Sequence, residues 1–143
     1  MDHEKYMQAG RLTTPVQELR RLAEDKQDSV RRRVAENSAC PPEVLAALAA
    51  DPDHEVRIAV GDHSATPLAV LHRLAEDDHA DVRYALAENH NLPVEILHKL
   101  SDDDNPHISH RARRTLRVLL PIGPAELKSD GGGGRPAERY RSI

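Results

Sequence analysis

Apolar and polar positions along this chain recur with a step of 26 residues. Leu22, Leu48, Leu74 and Leu100 stand 26 apart, as do Leu19, Leu45, Leu71 and Leu97, and then Val30, Val56, Val82 and Ile108. Pro15, Pro41, Pro67 and Pro93 keep the same register, and so do Asp25, Asp51, Asp77 and Asp103. Several columns sharing one long period are the mark of a repeat architecture. Within a unit the pattern divides into two helical stretches. In the second unit Pro41-Pro42 opens helix A, where proline gives up no intrahelical hydrogen bond, and Val44, Leu45, Leu48 and Ala49 form one apolar face. The segment "DPDH" interrupts the chain, and Asp51 or Asp53 can accept from the free amides that start helix B. Helix B carries Val56, Ala59 and Val60 on one side and is expected to span barely two turns. Such a helix is unstable alone, so every unit has to bury its face on its neighbours. The fold expected is all-α: an α-solenoid of about four helix-pair repeats of 26 residues, the second helix short.

The ends depart from the pattern in the way terminal repeats do. "RLTTPVQELRR" supplies a helix A with no helix B expected before it, so residues 1–21 are read as an N-terminal segment and capping helix. Residues 22–119 are the solenoid. In its last unit Ser109 stands in the arginine column, and Arg111, Arg113 and Arg114 replace Ala59, Gly61 and Asp62 of the second unit, polar choices that a unit lacking a further neighbour permits. Residues 120–143, with two early prolines and four consecutive glycines, read as a flexible tail.

The unit "LAxDxxxxVRxxVAxNxxxPxxxL" resembles the leucine-rich repeat variant family, which is akin in style to HEAT-like helical repeats. Residues 74–97 carry the likeness through Leu74-Ala75, Asp77, Val82-Arg83, Leu86-Ala87, Asn89, Pro93 and Leu97, and it extends over roughly residues 12–119. The resemblance implies α-helices alternating with shorter helices, often of the 3₁₀ type, in a superhelix without sheet. Some members carry a cysteine-ligated iron–sulfur module ahead of the repeats; a chain with one cysteine cannot hold it, and no cofactor is expected.

Composition changes this picture little. Aromatic residues are 2% of the chain, with no Phe or Trp, so Leu, Val and Ala must fill the interior. The net charge of -4 is unevenly spread: residues 48–99 hold ten Asp/Glu against four Lys/Arg. An acidic middle argues against a uniformly basic nucleic-acid binder. Cys40, the one cysteine, excludes an intramolecular disulfide. The start, "MDHEKYMQAGRL", has no apolar core behind a basic head, and no run approaches membrane-spanning length, so a soluble, cytoplasmic protein is expected.

Candidate chemistry is weighed against the repeat. "LAEDDHADVRYALAENH", residues 74–90, looks like an acid–base or metal centre until its register is removed. Asp25/Arg31, Asp51/Arg57 and Asp77/Arg83 recur, so a structural Asp–Arg ladder between units accounts for them. Asn37, His63 and Asn89 share a column where a side chain can satisfy helix-end carbonyls or the next loop. His54, His79, His90 and His107 occupy different loop columns, so periodicity does not bring them together; His107 and His110 alone could share an ion locally, and no metal site is expected. No nucleophile sits in a strand–turn–helix context and no glycine-rich loop opens a helix, so no enzyme is expected.

Residues that vary from unit to unit are the candidates for binding. Arg32, Ile58, Tyr84 and His110 form a row on helix B, with Tyr84 a potential anchor. Ala46, His72 and His98 form a second row on helix A, and Tyr140 lies in the tail's basic end "RPAERYRSI". The expected function is a small non-catalytic scaffold for an unidentified protein partner. The alternative is a nucleic-acid-associated protein gripping phosphates through Arg33, Arg111, Arg113, Arg114 and Arg117. No membrane partner is expected.

Overall fold

The computed structural model describes residues 2–120, and every regular element among them is an α-helix. In chain order these are α1 (His3–Gly10), α2 (Val16–Leu22), α3 (Asp28–Glu36), α4 (Pro42–Leu48), α5 (His54–Asp62), α6 (Leu68–Leu74), α7 (Ala80–Glu88), α8 (Val94–Leu100) and α9 (Pro106–Leu119). The even-numbered helices are the A helices of four units. Each follows one of the prolines of the repeat, Pro15, Pro41, Pro67 or Pro93, which sits at the N-cap with its ring already holding the φ that a helix start needs. The odd-numbered helices α3, α5, α7 and α9 are the B helices, and they pack directly on one another in a row, with each A helix set against the B helices before and after it in the chain.

Two features differ from the sequence-based expectation. Helix B is the longer member of each pair, nine residues against seven in the first three and fourteen against seven in the last, and both are α-helical among the described residues; the helix capped by Asp53 continues past Val60 through Gly61 and Asp62. The added half-turn goes with helix B being flanked by other B helices, against which it buries a second strip, Ala35, Gly61 and Ala87, that a two-turn helix would leave out. Secondly, α2 does have a B-type helix before it. α1 packs on α3 as α3 packs on α5, and its Lys5 and Ala9 stand 26 residues before Arg31 and Ala35. The leading row position is therefore filled, and the stack runs B-A-B-A from its first described helix.

The core is a continuous ladder of aliphatic side chains. Leu19, Leu45 and Leu97 are fully excluded from solvent, as are Val30, Val34, Val56 and Val60, with Leu71 and Val82 close behind. Packing is tight at Gly61, where a methyl group would sit 2.9 Å from the tip of the Leu86 side chain. Thr14 and Thr66 occupy one buried column and donate their hydroxyls to Gln8 O and Val60 O at 2.6 Å. Cys40 fills the same column in the second unit. Burial, aided by Glu43, pushes its thiol up to about 12, so almost no thiolate exists at neutral pH. In native buffer Cys40 is expected to resist a maleimide and to react fully once urea unfolds the chain, as followed by mass spectrometry; rapid native labelling would mean that the α3–α4 loop opens readily. No helix among the described residues is long and apolar enough to cross a membrane.

Candidate binding face

The asparagine and aspartate columns set how one unit sits on the next. Arg31 donates through Nε and Nη2 to both carboxylate oxygens of Asp51, at 2.7 and 3.0 Å, and through Nη1 to the Asp25 carbonyl at 2.8 Å. Arg57 grips Asp77 at 2.8 and 3.0 Å and the Asp51 carbonyl at 2.7 Å. Arg83 repeats the arrangement with Asp103 and the Asp77 carbonyl. Each guanidinium thus ties its own A–B loop to the next one, with the planar fork matched to a carboxylate. At the leading end Lys5 takes the place of arginine and reaches Asp25 at 2.9 Å. The carboxylates also accept from the backbone two residues on, Asp51 from Asp53 N and Asp77 from His79 N. The Lys5 hydrogen bond holds the Asp25 carboxyl below its ordinary value. At Asp77 burial pushes upward, and the hydrogen bonds from Arg57 and His79 N outweigh it.

A second seam uses the column of Asn37. Its amide donates to Ala9 O at 2.8 Å and Arg11 O at 3.0 Å while its oxygen accepts from Ala39 N. His63 does the same work in the next unit: Nε2 lies 2.8 Å from Asn37 O and Nδ1 accepts from Ala65 N at 2.9 Å, which assigns the proton to Nε2. Asn89 accepts from Asn91 N, and Thr115 closes the column by donating to Ala87 O.

With these columns engaged in stacking, the exposed side of the B helices is a surface whose chemistry changes from unit to unit. Positions three and seven apart share one helical face. On α5 that face presents Glu55, Ile58 and Asp62, and on α7 Asp81, Tyr84 and Glu88. An apolar strip of Ile58 and Tyr84 therefore runs between two acidic rows. Shallow clefts lie between successive B helices. One of about 290 Å³ separates α3 from α5 and is bordered by Arg32, Ile58 and Asp62; the next, about 510 Å³, is bordered by Ile58, Asp62 and Glu88. The third, about 380 Å³, lies between α7 and α9 against Tyr84, His110 and Arg114. Desolvation, helped by Glu88, raises the Asp62 carboxyl above its ordinary value, and no cation pairs with it among the described residues.

The row Arg32, Ile58, Tyr84, His110 thus lies along these clefts, with Arg32 also 3.5 Å from Glu36. His72 and His98 are on α6 and α8, away from it; His72 faces Glu95 at 3.9 Å. Of the arginines considered for phosphate, Arg33 lies over the Tyr6 ring at 5.4 Å and pairs with Glu36, and Arg111 lies 4.0 Å from Glu88. Arg113, Arg114 and Arg117 are exposed on α9. Tyr140 and the tail from residue 121 onward lie outside the described residues.

One expectation about histidines is corrected by the structure. His54 and His79, in different columns, do meet: their rings stack with centroids 4.0 Å apart and planes 4° from parallel. His54 opens α5 and His79 caps α7, so adjacent columns on adjacent units come face to face. Comparison of columns alone could not find this; a search for neighbouring columns in consecutive units would have.

Residues 29–53 match the family model of the leucine rich repeat variant, a span that begins in α3 and ends in the Asp51 loop after α4. No curated protein and no solved structure matches the chain. The matched span is one repeat long, and its columns continue on both sides of it in the 26-residue register and in the B-A-B-A stack. The chain is a helical-repeat protein, and residues 29–53 of it match the leucine rich repeat variant unit.

Proposed function

We propose that this protein is a non-catalytic scaffold that holds a basic segment of another protein along the exposed side of its B helices. The observation that carries the reading is the strip of Ile58 and Tyr84 between the acidic rows Glu55/Asp81 and Asp62/Glu88, with clefts on either side. An apolar side chain of the partner would seat beside Tyr84, and its lysines or arginines would meet the carboxylates, which sets orientation and encounter rate more than affinity. In this reading residues 22–119 are the working solenoid, residues 1–21 its cap, and the cytoplasm its compartment, where a lone thiol such as Cys40 stays reduced.

Binding of a library of immobilised basic peptides carrying one Leu or Phe tests the reading. Tyr84→Ala is expected to weaken the best binder by about tenfold, equivalent to about 1.4 kcal/mol, with helix content by circular dichroism unchanged. Loss of helix content would make Tyr84 a packing residue, and undiminished binding would move the site elsewhere. The second reading, phosphate contact, rests on the exposed Arg113 and Arg114 of α9. Removing both along with Arg33 should then weaken duplex binding and flatten its salt dependence.

A further inference from the structure

Unit two and unit three place histidines in columns that elsewhere hold other residues. The column of His79 contains Gln27, Asp53 and Asn105, and that of His54 contains Asp28, Ala80 and Pro106. The packing of α5 against α7 turns this coincidence into a cluster. His79 Nδ1 accepts the Asp81 backbone N–H at 3.3 Å and lies 3.9 Å from Asp81 Oδ2, and His54 Nε2 lies 3.5 Å from Glu55 Oε1. One donor atom from each of His54, His79 and Asp81 lies within 4.8 Å of the others, and among the described residues no other three such side chains gather this closely. We propose that His54, His79 and Asp81 bind a transition-metal ion of the zinc or nickel class across the seam between the second and third units.

Two imidazoles and one carboxylate select such ions over magnesium or calcium, which take oxygen ligands. Bonds of about 2.0–2.1 Å in a tetrahedral site put donor atoms roughly 3.4 Å apart. The trio must therefore draw together by about 1.4 Å at most, and because all three side chains are partly or fully exposed, side-chain rotations suffice. The stacked rings have to splay, and His79 gives up a long capping contact. The positive ends of α5 and α7 oppose a cation here, and Asp53, Glu55, Asp78 and Asp81, all at or beside those helix starts, supply opposing negative charge. With three protein ligands, water completes the coordination.

The repeat itself provides the controls. His79→Asn restores the residue that caps α9 at Asn105, and His54→Ala restores the residue of the next unit at Ala80. Zinc or nickel chloride is titrated calorimetrically into the untagged full chain, with the midpoint of thermal unfolding recorded in parallel. One equivalent is expected to bind with a micromolar dissociation constant and to raise the midpoint. Each variant is expected to keep the metal-free midpoint and to bind at least tenfold more weakly. Absence of binding at millimolar metal overturns the proposal. So does equal binding by wild type and both variants, which would assign the ion to other histidines.

Discussion

Arg57→Ala is expected to lower the free energy of unfolding by about 3 kcal/mol, because it strands a carboxylate inside a seam. Only 14% of the Arg57 side chain and 10% of that of Asp77 remain exposed. The guanidinium satisfies both oxygens of Asp77 and the Asp51 carbonyl, so alanine removes three charge-assisted hydrogen bonds and leaves their acceptors in place. Truncating one member of such a pair costs far more than the pair contributes net, since the remaining charge keeps its desolvation penalty. Urea unfolding followed by circular dichroism measures the loss; a change below about 0.5 kcal/mol, the size typical of an exposed pair, would show that the seam is wet. Acid titration gives an independent sign. The Asp77 carboxyl lies below its ordinary value in the folded chain, so its contribution is complete above the unfolded value of about 3.9 and is lost as pH falls through the lower, folded one. In Arg57→Ala burial is left with less to oppose it, and the acid limb of stability should move to higher pH.

Leu45→Ala is expected to cost about 3–4 kcal/mol by the same measurement. Leu45 is fully buried on α4, which is set between α3 and α5, so truncation opens a cavity at the meeting of two units. Seven-residue helices joined by tight loops have little room to collapse into it, which places the cost in the middle of the range for Leu→Ala substitutions. The comparison is Leu68→Ala: Leu68 is 43% exposed on α6, and its loss should be within about 0.5 kcal/mol. Equal costs at the two positions would mean that the A helices are not held as described.

The period was legible because stacking makes identical demands at each unit. Leu45 and Leu97 face the same neighbours, and Asp51 and Asp77 meet the same guanidinium, so the residues repeat. What escaped had a different physical origin. In α1, Glu4 and Gln8 stand at the valine positions of the repeat, Glu4 exposed and Gln8 half-buried, so the apolar signal fades although Lys5 and Ala9 keep register. The length of helix B was hidden because its last turn is held by small residues, Ala35, Gly61 and Ala87, which carry little hydrophobic weight. The proposed binding face was legible only as a row of differing residues; that Asp62 and Glu88 border Ile58 and Tyr84 depended on which B-helix positions remain open to solvent. The pairing of His54 with His79 arises diagonally, between columns, where a fixed step cannot see it.

The fastenings between units all reach a short way along the chain: Arg31 to Asp51 spans 20 residues, His63 to Asn37 spans 26, and Thr115 to Ala87 spans 28. Contacts this local cost little loop entropy and are made in any order. During synthesis each seam can therefore close as soon as its second half leaves the ribosome, without waiting for the rest of the chain. The finished stack behaves mechanically as links in series, so that a pull on its two ends would part the weakest seam and leave the others closed.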